Sequence, residues 1–147
     1  MFQHILFPTD GSPASEAALG ACLRFARDAG AKVTAVHVIP EFHVLTYKTD
    51  MLEDTRDQYL KESADHAARL LEQVSVAARE QQVTCFTDIR RSDHPYEAII
   101  AAARDKGCDL IAMASHGYRG MKGLVLGSET HKVLVHSTIP VLVYRNE

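Results

Sequence analysis

Cysteine is scarce in this chain. Cys22, Cys85 and Cys108 are its only three, odd in number, scattered and without metal-ligand spacing. That pattern argues against a disulfide framework and points to a reduced cytoplasm. Long hydrophobic runs are missing too, for no apolar stretch approaches the roughly 20 residues of a membrane span. The opening Met1-Phe2-Gln3-His4 lacks the charged start, apolar core and small-residue cleavage site of a signal peptide. Nor is there an excess of positive charge. Lys and Arg number 16 against 19 Asp and Glu, a net charge of -3, so a basic face for non-specific nucleic-acid binding is not expected. Eight histidines are present, yet no HxH or HExxH spacing and no Cys/His cluster occurs. Gly-x-Ser-x-Gly is absent as well, which leaves a serine nucleophile without its usual setting.

What is present is alternation. Ile5-Leu6-Phe7-Pro8 is a short apolar run, ended by the turn residues Thr9-Asp10-Gly11-Ser12-Pro13. Ser12 or Asp10 can cap the helix that follows, and Pro13 suits its first turn. Ala14, Ala18, Ala21, Cys22, Phe25 and Ala29 recur at helical spacing, and Gly30 marks the stop. Residues 32–39 read as a second buried strand. Residues 40–51 show no period and are expected to be a loop, one placed to cover a site. A long helix is expected over residues 52–82; its seam of Leu60, Ala64, Ala67, Leu71, Val74 and Ala78 suits docking on a sheet better than a coiled coil. Residues 83–89 alternate in part, as near a sheet edge, and residues 90–95 read as a turn with Asp93 as N-cap. A helix from Tyr96 to Gly107, an apolar strand over residues 110–114, a glycine-rich stretch, a short helix stopped by Pro140 and a last strand over residues 141–144 complete the chain.

Five apolar strands and four helices in this order predict an α/β fold: one domain over residues 1–147, an open, doubly wound parallel sheet with helices on both faces. Such sheets bind ligands beyond the carboxyl ends of their strands, where the strand order reverses. The first and fourth strands are the natural neighbours of that crevice. Pro8-Thr9-Asp10-Gly11-Ser12 and the stretch with Gly117, Gly120, Gly123 and Gly127 would then converge on one site. Strand, glycine loop and helix start together can hold phosphate through backbone N–H groups, with Arg119 and Lys122 offsetting anionic charge. The pattern is neither a Walker loop nor the compact dinucleotide GxGxxG. The glycines alone fit a surface loop with a serine N-cap equally well. His116 lies beside this loop, where bonding to backbone accounts for it; Ser12 and Ser128 sit at helix starts, where capping accounts for both.

These residues resemble the universal stress protein family over essentially the whole chain. Ile5-Leu6-Phe7-Pro8-Thr9-Asp10-Gly11-Ser12 is similar to the family's opening strand and turn, Val36-His37-Val38 to the end of its second strand, and Ile139-Pro140-Val141-Leu142-Val143 to its terminal strand. Ser115-His116-Gly117, nine residues, then Gly127-Ser128 resembles its nucleotide motif of Gly, two residues, Gly, nine residues, Gly and Ser or Thr. The resemblance implies a five-stranded parallel sheet of the adenine nucleotide alpha hydrolase-like kind and, in members with the motif, binding of ATP, with or without Mg2+. It implies that Pro8, Thr9, Asp10 and the backbone at Val38 hold the adenosine end, that Ala114 and Gly117 flank ribose and phosphates, and that Gly127, Ser128, Glu129 and Thr130 receive the phosphates. It also implies a homodimer through the C-terminal strand, Pro140, Val141, Leu142, Val143 and Tyr144, where an internal strand would need no partner.

Two departures stand out. The motif's first glycine is Ala114; if that position needs φ > 0 or touches the ligand, the methyl group costs on the order of 1–2 kcal/mol. Where the family often has a glycine after its third strand, this chain has Arg90-Arg91-Ser92. The reading is a cytoplasmic regulator of the stress response that binds adenine nucleotide without efficient catalysis. A nucleotide-free dimeric interaction module and a slow ATPase stay open beside it.

Overall fold

The apolar runs pair into one all-parallel sheet in the computed structural model, which describes residues 1–43, 49–117 and 126–145. In chain order the elements are β1 (His4–Pro8), α1 (Pro13–Ala29), β2 (Lys32–Ile39), α2 (Thr49–Glu80), β3 (Cys85–Arg91), α3 (Pro95–Lys106), β4 (Leu110–Ala114), α4 (Ser128–His136) and β5 (Val141–Tyr144). The strands lie in the order β3-β2-β1-β4-β5, so the chain winds outward one way from β1 to β3 and the other way from β4 to β5. The reversal falls between β1 and β4, as the alternation predicts.

Central strands are buried on both faces because helices cover both. Ile5 and Phe7 of β1 pack with Ala14, Ala18, Cys22 and Val33 on the α1 side, while Leu6 packs with Val36, Ile99, Ile111 and Val133 on the α3 and α4 side. Ile5, Leu6 and Phe7 are wholly inaccessible, each contributing about 1.5–3 kcal/mol from burial. Helix α2 lays Leu71 and Val74 on Ala35 of β2, so its seam docks on the sheet as expected. Helix α1 starts at Ser12, whose Oγ accepts from Ser15 N–H at 3.2 Å, and ends at Gly30 in the left-handed conformation with φ 68. Among the described residues no helix is long and apolar enough to cross a membrane.

The structure corrects several local readings. Residues 49–51, read as loop, already belong to α2, and residues 44–48 lie outside those described. The third strand starts at Cys85 rather than at residue 83 and runs on through Arg90 and Arg91, which were read as turn. The two arginines fit a strand because β3 is an edge whose long polar side chains reach outward to neighbouring helices. Arg90 pairs with Asp88 at 2.8 Å and with Asp105 of α3 at 2.9 Å, and Arg91 donates to Leu60 O of α2 at 3.1 Å. Asp93 is not the N-cap of α3. Pro95 opens that helix and puts His94 at the cap without a side-chain bond, so Asp93 falls one residue early. Its carboxylate accepts from Glu41 N–H at 3.1 Å and pairs with His43 at 2.5 Å.

Candidate functional site

Two turns meet at the strand-order reversal. The first leaves β1. Thr9 N–H extends the ladder by one rung to Val36 O at 2.9 Å, and Asp10 then folds back on the helix start. Asp10 Oδ1 accepts from Ser12 N–H at 2.9 Å and from Ser15 Oγ at 3.0 Å, an Asx-type turn that anchors α1. Gly11 between them has φ 77, which a side chain rarely adopts.

The second turn joins β4 to α4. Gly127 N–H donates to Ser115 O at 2.7 Å, pinning the start of α4 to the end of β4. A Cβ at Gly127 would lie 3.1 Å from His116 Cα and 3.2 Å from Ser115 O, both backbone atoms, so glycine is needed for close approach. Gly127 and not Ser128 is the N-cap, and Ser128 is the first helical residue with no capping bond. The capping role expected of Ser128 is therefore corrected; the residue lines the site.

The two turns touch. A Cβ on Gly117 would run into the Asp10 carboxylate, so the glycine after β4 gives room to the acid after β1. Between them opens a cleft of about 520 Å³, within the usual range for small-molecule sites. Pro8, Thr9, Asp10, Val38, Ala114, Gly117, Gly127, Ser128, Glu129 and Thr130 all line it. Positions 118–125, including Gly120, Gly123, Arg119 and Lys122, lie outside the described residues.

Several of these groups are already engaged. Thr130 is buried and donates its hydroxyl to Ala114 O at 3.0 Å, and the Gly127 N–H is held by Ser115. The Thr130 hydroxyl and the Gly127 N–H are therefore held within the protein. The N–H groups of Ser128, Glu129 and Thr130, which precede the first helical bond from His131 N–H to Gly127 O, have no acceptor among the described residues. They carry the positive end of the helix dipole into the cleft. Ala114 ends a regular strand; among the described residues only Gln82 is a non-glycine with positive φ, so the methyl carries no left-handed strain.

Glu129 does something sequence reading did not foresee. Its Oε2 accepts from Tyr96 N–H at 2.9 Å, capping α3 from another helix. The cleft also gains Ser15, Val36, Pro40, Pro95, Ile99 and Met113, which were not singled out. Pro95 alone had a usable signal, since it opens a helix just past the carboxyl end of a strand. His116 lies in the cleft wall with its Nδ1 3.1 Å from Ser115 Oγ, a side-chain partner where bonding to backbone was expected. The cysteines are unsuited to attack: burial pushes the Cys22 thiol up to about 12 and the Cys108 thiol up to about 11. Among the described residues no three His, Cys, Asp or Glu side chains gather into a metal site.

The profile of the universal stress protein family matches residues 1–145. The chain belongs to the universal stress protein family. It is 34% identical over 149 residues to the universal stress protein YxiE of Bacillus subtilis, covering 99% of this chain and 100% of that one. It is 30% identical over 160 residues to the universal stress protein MJ0577 of Methanocaldococcus jannaschii, covering 100% and 97%. The solved structure of MJ0577 superposes with a TM-score of 0.85 over 100% of this chain and 98% of that one. A universal stress protein from Archaeoglobus fulgidus, solved in complex with dAMP, is 19% identical over 97% of both chains with a TM-score of 0.66, a likeness of fold.

Proposed function

We propose that this universal stress protein binds ATP or a related adenine nucleotide in the cleft between β1 and β4, as a regulator of the stress response without efficient turnover. The convergence of the Asp10 turn and the α4 N-terminus on one 520 Å³ cleft carries this reading. The triphosphate sits on the N–H groups of Ser128, Glu129 and Thr130, with the Ser128 hydroxyl beside them. The base and ribose lie toward Val38, Pro8, Thr9 and Asp10, flanked by Ala114 and Gly117. Magnesium, where used, enters on the nucleotide's own phosphates. The dAMP held by the Archaeoglobus relative supports an adenine ligand for this fold.

Calorimetry on protein stripped of ligand tests the reading. ATP is expected to bind at micromolar to millimolar concentration, and Gly127→Val, which drives a branched side chain into Ser115 O and His116, to weaken it at least tenfold. Absence of heat in the wild-type protein at millimolar nucleotide sinks it. Phosphate release above buffer that disappears in Asp10→Ala would replace binding with slow hydrolysis.

The partner in this reading is a second copy joined through β5. Among the described residues strand β5 pairs only with β4, and Val135 of the neighbouring helix is 61% exposed. Pro140 O and Tyr144 O accept from β4 and its extension, so alternation turns Val141 and Val143 N–H to the open edge. Val143→Pro then removes an outward N–H and no inward rung. Sedimentation is expected to show a dimer for wild type and a monomer for the variant; a monomeric wild type excludes the dimer.

A further inference from the structure

Alternation along β2 decides which backbone groups meet β1. Lys32 N–H donates to Gln3 O at 3.1 Å and Thr9 N–H to Val36 O at 2.9 Å, and residues two apart face the same neighbour. One more rung would join Val38 N–H to Thr9 O. That rung is missing among the described residues. Thr9 O accepts instead from His37 Nδ1 at 2.8 Å, so the proton sits on Nδ1. The His37 ring is half-buried and packs edge-on against His66 of α2, their centroids 6.1 Å apart, which fixes the imidazole over the carbonyl. Thr9 and Val38 both line the cleft.

We propose that His37 is a positioning residue of the cleft: by holding the Thr9 carbonyl it prevents the ladder from closing and keeps Val38 N–H and C=O open to a ligand edge that both donates and accepts. The assignment of that edge to a nucleobase rests on the nucleotide reading; the state of the backbone does not. A histidine one residue before the open rung reaches the competing acceptor from the α2 face of the sheet. Its ring therefore occupies none of the volume on the α3 face, where Val36 packs with Ile99.

Amide exchange on stripped protein tests the backbone claim directly. In His37→Ala, Thr9 O is released and Val38 N–H bonds to it, so Val38 protection rises at least about tenfold while Val36 stays unchanged. His37→Asn places its Nδ2–H where Nδ1–H was and restores fast exchange at Val38. ATP affinity falls about tenfold in His37→Ala, the worth of roughly one hydrogen bond, and recovers in His37→Asn to within about threefold. Equal Val38 exchange in wild type and a folded His37→Ala overturns the proposal. Should the alanine variant not fold, a protected Val38 amide in His37→Asn overturns it as well. If Val38 closes in His37→Ala but wild type binds no nucleotide, the positioning role stands and the nucleotide reading fails.

Discussion

Adding one methyl group at Gly117 should destabilise this protein through a residue more than one hundred positions away. The new Cβ meets the Asp10 carboxylate, whose other oxygen is held by Ser12 N–H at 2.9 Å and Ser15 Oγ at 3.0 Å. To give way, the carboxylate must weaken bonds that anchor α1, each worth about 1.5–3 kcal/mol when one partner is charged. Partial loss of both, offset by the about 0.4–1 kcal/mol that Gly→Ala gains through the unfolded chain, leaves a net cost of about 2 kcal/mol. Melting should fall by about 4–8 °C for a chain of this size. Gly117 does not have positive φ, so no backbone strain clouds the measurement. The decisive assay is a double-mutant cycle by urea denaturation on ligand-free protein. In the Asp10→Ala background the collision is gone, and Gly117→Ala should be neutral or stabilising by up to about 1 kcal/mol. Equal cost in both backgrounds would show that the two turns do not touch as described.

Three further outcomes follow from single contacts. Glu129→Ala leaves Tyr96 N–H without its acceptor and should cost about 1 kcal/mol of stability, while Glu129→Gln keeps an acceptor and most of that; identical melting of the two variants would contradict the cross-helix cap. Burial by itself would raise the Asp109 carboxyl, but the N–H groups of His4 and Gln3 outweigh it and hold it below its ordinary 3.8. Its stabilisation is thus complete above pH 3.8 and lost as pH falls through the lowered value, so Asp109→Asn should be less stable than wild type at pH 6, with the gap shrinking below pH 3.8 in acid titrations. With Cys22 near 12, only about one thiol in ten thousand is ionised at pH 8. Alkylation of native protein should therefore wait on unfolding, and a rapid labelling burst at Cys22 would contradict its burial.

The order of strands and helices was legible in the sequence because it rests on local periodicity. Fully buried parallel strands read as unbroken apolar runs such as Ile5-Leu6-Phe7, and α1 carries its own stop and start signals in Ser12, Pro13 and Gly30. The ten candidate site residues came from the family resemblance rather than from local pattern, and the fold brings them to one cleft, from the ends of β1, β2 and β4 and the start of α4. The errors fell where a distant partner, or a proline close by, overrides a local rule. Arg90 and Arg91 look like turn residues until Asp105 and Leu60 O are there to receive them, and Asp93 looks like a cap until Pro95 fixes the helix start one residue later.

Sequence by itself thus determined the alternation, the parallel sheet and the positions of the two turns, since each follows from the chemistry of neighbouring residues. Only the tertiary structure decided that Gly117 makes room for Asp10, that Glu129 caps a helix not its own, and that His37 takes the carbonyl Val38 would otherwise bond. Those are contacts between residues 28 or more positions apart along the chain, and no local pattern encodes a hydrogen bond whose two ends meet only after the sheet has formed.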